Sequence, residues 1–303
     1  MSIKSSDRRA YLQLLAASFC WSLSPLFIHY LGRRSIGVIS QNGFRYFSAS
    51  LFLFTVSALL FRDRLRPTPR AIRFLLLTGL SGTLYQMLFA HGLYLIQPGS
   101  ASLLSQTSVI PVVLLLAAFY PEERRTAQSP LFLLSAGIML AGVALVIVFK
   151  RGADFDFNAG AAFVIAAQVG WTLYTAFIKP ALRETHPVVA MAYVSLFIAL
   201  LHFMIGLPLG ALSGITAAPV SVLLVIFFSG IVAIAFPHTL YYAAMRSVGG
   251  VLSNTILLIS PVLACILSYF IFGETLTPLQ IFGGGLLIIG AYLTTHVQYG
   301  GKK

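Results

Sequence analysis

Ala16–Ile28 reads AASFCWSLSPLFI, and Ala166–Ile178 reads AAQVGWTLYTAFI. Each lies in an apolar run of about 20 residues, the length that carries a helix across the hydrocarbon core of a bilayer. At a shift of 150, Ala16-Ala17 falls on Ala166-Ala167, Trp21 on Trp171, Leu23 on Leu173 and Phe27-Ile28 on Phe177-Ile178. Tryptophan occurs only twice in the chain, so its match is not a product of composition. The same shift places Gly99 on Gly249 and Pro111 on Pro261; a shift of 148 places Pro130-Leu131, Gly137 and Gly142 on Pro278-Leu279, Gly285 and Gly290.

Working outward, the hydropathy predicts ten spans, at 9–31, 38–61, 72–95, 98–120, 130–149, 158–179, 187–210, 218–242, 249–272 and 278–296. Gln97-Pro98-Gly99 and Ser247-Val248-Gly249-Gly250 read as tight turns, because Pro presets one dihedral and Gly permits the reversal. The repeat unit, 1–152 and then 153–303, therefore holds five spans. An odd number makes the second copy enter the membrane from the opposite side. The expected fold is an all-α polytopic membrane protein, ten transmembrane helices as two inverted five-helix repeats. Inverted repeats are a recurrent plan of secondary transporters, since one sequence packed in two ways allows the halves to exchange open and closed shapes.

Composition agrees. Soluble domains carry about 25% charged residues; this chain of 303 residues carries 9% and is 58% hydrophobic, with a mean hydropathy of +0.90. The net charge of +12 follows membrane topology rather than nucleic-acid binding, because the cations sit in loops and form no basic stripe on a polar surface. With the N-terminus inside, fifteen Lys and Arg fall in cytoplasmic segments and four in outer ones, with Arg45 near the outer end of the second span. That asymmetry predicts cytoplasmic termini in a bacterial inner membrane. Lys4, Arg8 and Arg9 before an apolar run imitate a signal peptide, but the run continues past residue 28 and reads as the first span. Cys20 and Cys265 lie in apolar runs and form no disulfide framework.

The stretch Pro261-Val262-Leu263 through Phe272-Gly273-Glu274-Thr275-Leu276-Thr277-Pro278-Leu279-Gln280, then Gly283-Gly284-Gly285 and Gly290, resembles the five-helix repeat of the drug/metabolite transporter superfamily in its EamA-like branch. The first half carries the pattern as Pro111, Glu122-Glu123 and Gly137 to Gly142, without the Gly before the Glu. The resemblance covers both halves. It implies a central cavity lined by the first, third, fourth, sixth, eighth and ninth spans, with the fifth and tenth peripheral. It also implies export of amino acids or related metabolites, although some related proteins import vitamins.

The residues themselves nominate a site. Pro111 and Pro261 break helices at mid-span and free backbone carbonyls. Ser102, Ser105, Gln106, Thr107 and Ser108 precede one, Ser253, Asn254 and Thr255 the other. The alternatives are a cavity wall and a packing kink. Trp21 and Trp171 lie at mid-depth, each sharing a helix face with a polar residue, Ser18 and Gln168. They either stack on a solute or fill packing space. Tyr85, Gln86, His91 and Tyr241 complete the candidate solute-binding set of Trp21, Gln106, Gln168, Trp171 and Asn254. The histidines His91 and His238 are structural or proton-relaying, and Tyr241 and Tyr242 near a span end could be an interfacial belt. Gly283, Gly284, Gly285 and Gly290 read as a close-packing face, matched by Gly137, Ala141 and Ala144.

The acidic residues all fall in loops or at span ends. The expected site is thus uncharged and takes a neutral or zwitterionic solute. There is no zinc motif, nucleophile elbow or nucleotide loop, so no enzyme, metal or cofactor is expected. Nor is there a charged ring or filter of the kind channels use. The expected partners are a small-molecule solute, the lipid bilayer and protons as coupling ion, with no nucleic acid, for a monomeric exporter of an amino-acid-like metabolite, aromatic ones included. The alternative is an importer of a neutral vitamin such as riboflavin.

Overall fold

The computed structural model describes residues 5–108, 110–111, 114–115, 118, 128–148, 159–248 and 256–300. Its elements are α1 (Ser5–Arg33), α2 (Val38–Leu60), α3 (Pro69–Leu95), α4 (Pro98–Leu104) running into a 3₁₀ segment (Ser105–Ser108), α5 (Pro130–Val148), α6 (Ala159–Glu184), α7 (Pro187–Gly206), α8 (Val220–Gly230), a π-helical turn (Ile231–Ala235), α9 (Phe236–Val248), α10 (Ile259–Phe272) and α11 (Pro278–Gly300). No strand occurs among the described residues.

Local chemistry sets the helix starts. Pro69, Pro98, Pro130, Pro187 and Pro278 each open a helix, where a missing N–H costs nothing and the fixed φ is already helical. Thr68 accepts from the Ala71 amide at 3.1 Å, and Ser129 from the Phe132 amide at 3.1 Å. Thr277 and Gln280 cap each other reciprocally, at 3.0 and 3.2 Å. Gly273 ends α10 at φ 68°, a left-handed conformation that needs no Cβ.

Six helices among the described residues are long and apolar enough to cross a membrane: Arg8–Arg33, Val38–Leu60, Pro69–Leu95, Ala159–Glu184, Pro187–Gly206 and Val220–Ala244. Pro130–Val146, Ile259–Phe272 and Pro278–Leu293 are shorter apolar helices. Polarity is distributed for lipid. Leu59, Met204, Leu224 and Phe270 face outward, while Ser18, Gln41, Asn42, Ser57, Gln168, Ser195 and His202 are buried. In hydrocarbon the outer face needs no polar cover, and polar groups find partners only inside. The chain is a multi-pass membrane protein.

The two halves interleave. α3 packs along α6, α2 along α7, α1 along α9, α5 along α11, and α4 against α10. The α5–α11 seam differs from the expected one. Gly142 and Gly283 lie where an added Cβ would sit 2.7 and 2.9 Å from the opposing carbonyl, and Gly290 abuts Met139. Gly137 and Gly285 face open space, and Ala141 and Ala144 are exposed. The seam follows Ser135, Met139, Gly142 and Val146, steps of three and four that keep one helical face inward.

Loops gather at two ends. At one, Phe61 stacks on His186 at 4.0 Å, the Thr68 hydroxyl donates to Glu184 at 2.5 Å, and Arg70 approaches Glu184 at 3.9 Å. At the other, Ser40 donates to the Ala211 carbonyl and Tyr94 to the Ile36 carbonyl. Glu274 also lies there. Its carboxylate accepts from the Gly99 amide at 2.8 Å, the Ser100 amide at 3.0 Å and the Ser100 hydroxyl at 2.7 Å, tying α10 to the start of α4.

Candidate functional site

Four helices bring the two tryptophans into one aromatic chain. Trp21 on α1 meets the edge of His238 on α9 at 5.0 Å and Tyr241 at 5.5 Å. His238 lies 6.3 Å from Tyr174, which stacks on Trp171 one turn earlier in α6, at 5.2 Å and 7°. Trp171 continues to Tyr85 at 5.4 Å and Tyr85 to Phe89 at 5.2 Å, both on α3. Trp21, Tyr85, Trp171 and Tyr241 are half-buried, and the buried His238, Tyr174 and Tyr242 pack against them. The His238 Nδ1 is bonded to the Ile234 carbonyl at 2.7 Å, within the π-helical turn. His238 and Tyr242 are therefore interior residues and not part of an interfacial belt, because α1 and α7 pack against α9.

The polar candidates distribute differently. Gln168 is buried and donates to its own helix, to the Val164 carbonyl at 2.7 Å. Gln86 is 9% exposed and its Oε1 has no protein partner. Gln106 is half-buried in the 3₁₀ segment, where the backbone departs from α geometry ahead of Pro111. Pro261 is buried two residues into α10, behind a turn at Leu258. Asn254 lies outside the described residues. His91 is exposed, bonded to the Met87 carbonyl at 2.7 Å and 6.0 Å from Phe163, away from the aromatic chain. Six residues separate it from Tyr85, which at about 100° per residue points it to another side of α3. A cavity of about 220 Å³ opens at the loop end that holds Glu274, lined by His29, Tyr94, Gln97, Ser100 and Gln280 among others. None of the nominated site residues lines it.

Arg45 lies near the start of α2, as expected, but it is 1% exposed and so puts a charge among buried polar groups expected to be uncharged. Its Nε donates to Ser229 Oγ at 3.0 Å and its Nη2 to Ser24 Oγ at 3.3 Å, while Nη1 has no protein partner. Gln41 and Asn42 lie one turn before it, fully buried. Asn42 Nδ2 donates to the Gln86 carbonyl at 3.1 Å and Asn42 Oδ1 is unpartnered, while the Gln41 amide lies against the Tyr94 hydroxyl. The buried polar set thus includes a cation. An arginine with Gln-Asn one turn away inside an apolar span is itself the signal that finds it.

Residues 8–148 and, again, residues 158–296 match the EamA-like transporter family. The chain is 28% identical over 241 residues, 78% of each chain, to a protein of Streptantibioticus cattleyicolor described as "Probable terminal-alkyne amino-acid exporter". It is 31% identical over 137 residues, 44% of this chain and 43% of the relative, to an "Uncharacterized transporter" of Clostridium kluyveri. A protein solved by crystallography superposes with a TM-score of 0.63 over 94% of this chain and 95% of its own, at 21% identity, a likeness of fold.

Proposed function

Since this chain belongs to the EamA-like transporter family, within the drug/metabolite transporter superfamily, we propose that it exports a small amino-acid-like metabolite with an apolar or aromatic side chain, by alternating access. The observation that carries this reading is the aromatic chain from Trp21 to Tyr85, which gathers half-buried rings from four membrane-spanning helices. The exporter named among the relatives supports amino acids as the class.

The ten-span, inverted-repeat architecture belongs to the same proposal, with the halves at 1–152 and 153–303. Two observations support it. The family matches the chain twice, and the helix pairing survives exchange of the halves. Exchanging the first with the sixth span and the third with the eighth turns the pair α1–α9 into the pair α6–α3, and the other pairs map onto themselves. A monomer in a bacterial inner membrane, with cytoplasmic termini and protons as coupling ion, completes the reading. The loop end rich in Arg62, Arg64, Arg66, Arg70 and Arg183 is then the cytoplasmic one.

Efflux decides. Cells loaded with labelled phenylalanine or a terminal-alkyne amino acid should lose label faster with the protein than without it, and more slowly when the proton gradient is collapsed. Uptake of external labelled riboflavin, with no effect on efflux, would instead establish the vitamin importer.

A further inference from the structure

Resting on the export reading, we infer that Arg45 is the anchor for a carboxylate on the transported solute. A buried guanidinium is stable when its charge is met, and a membrane interior offers no water to meet it. The groups that do contact Arg45 are the neutral hydroxyls of Ser229 and Ser24, and Nη1 is left over. Among the described acids, Glu274 is held by Gly99 and Ser100, Glu184 by Thr68 and Arg70 at the opposite loop end, and Asp63 is exposed at that same end. Arginine's planar fork of donors suits a carboxylate better than any other partner of that size.

The neighbours fit the rest of an amino acid. Asn42 Oδ1 and Gln86 Oε1 are buried acceptors without donors, the complement of an ammonium group. Interior polar atoms of this kind are nearly always satisfied, so several in one place mark a site. The anchor and the aromatic chain also share their supports. α1 gives Ser24 to Arg45 and Trp21, one turn away, to the rings; the rod of α8, the π turn and α9 gives Ser229 to Arg45 and His238 to Trp21. That rod presses closely on Arg45. A Cβ at Gly230 would lie 2.1 Å from the Arg45 carbonyl oxygen, and the π turn begins at the next residue. π turns recur at functional sites because they re-aim the helix that follows. The same two supports thus carry the anchor for a carboxylate and the rings for a side chain.

The test uses full-length protein in proteoliposomes and counterflow of labelled phenylalanine. Unlabelled phenylalanine should compete, whereas phenylalaninamide, which keeps the ring and the amine but lacks the carboxylate, should compete about thirtyfold more weakly, the effect of leaving one member of a buried charge pair unmatched. Arg45→Gln should reduce competition by the acid to the level of the amide without changing the amide, and Arg45→Lys should restore part of it. Equal competition by acid and amide in the unaltered protein overturns the inference and leaves the export reading standing. So does an Arg45→Gln protein that keeps its thermal transition but loses both ligands equally, which makes Arg45 a brace. If Arg45→Gln does not fold, the acid–amide comparison in the unaltered protein decides alone. If phenylalanine and every other amino acid fail to move, the export reading falls and the anchor with it.

Discussion

Trp171 shows what a single side chain does here. It stacks on Tyr174, tilts against Tyr85 and remains half-buried. Removing it forfeits ring contacts worth about 0.5–1.5 kcal/mol each, together with some burial. Trp171→Ala should therefore cost roughly 1–3 kcal/mol of stability from its two ring contacts alone, yet abolish most efflux. Thermal unfolding of the purified variant beside its efflux rate checks this, and a parallel fall in expression and activity would favour a packing role. The two tryptophans are legible in the sequence because the repeat and their depth single them out. Arg45 is legible as a charge beside Gln41-Asn42 in an apolar span, but its burial is not, for a physical reason. Its burial is made by Ser229 and its neighbours on α8, which lie 184 residues away in the chain. Local hydropathy registers a charge near a span end and is blind to the helix that covers it. His91 fails conversely: its shift onto Tyr241 is real, but a shift says nothing of which face turns inward.

At the scale of the element, span positions follow directly from apolar length. The expected 38–61 and 187–210 lie within a few residues of Val38–Leu60 and Pro187–Gly206. The change from α4 to a 3₁₀ segment at Ser105 is foreshadowed by the hydroxyl-rich run before Pro111, whose side chains offer the backbone competing partners. What element-level reading misses is the work of Glu274. In sequence it is a loop acid after a glycine; in the structure it is 8% exposed and accepts three hydrogen bonds at the first turn of α4. Charge-assisted bonds of this kind contribute about 1.5–3 kcal/mol. Glu274→Gln should lower the unfolding temperature in detergent by an amount matching a loss of roughly 1–3 kcal/mol, because an amide cannot accept at both positions. An unchanged transition would show that α4 holds its place without the clamp.

For the whole molecule, the proposed inverted repeat makes a topological prediction. Ser213 and Arg64 are exposed at opposite loop ends. In a background where Cys20 and Cys265 are replaced by Ser, an impermeant maleimide added outside intact cells should label Ser213→Cys and leave Arg64→Cys unlabelled until the membrane is opened. The reverse pattern would invert the protein and with it the assignment of the arginine-rich end to the cytoplasm.

The chain's only two indoles lie in one aromatic chain, which has an optical consequence. Emission excited at the red edge of tryptophan absorption originates there and nowhere else in the protein. A solute that settles against Trp21 and Trp171 changes what borders their rings, so the emission maximum and intensity should titrate saturably with a transported amino acid. Trp21→Phe and Trp171→Phe, read one at a time, would apportion the signal between the two halves. Stopped-flow traces of each would then time the arrival of the solute at either half, making the protein its own reporter without an added label.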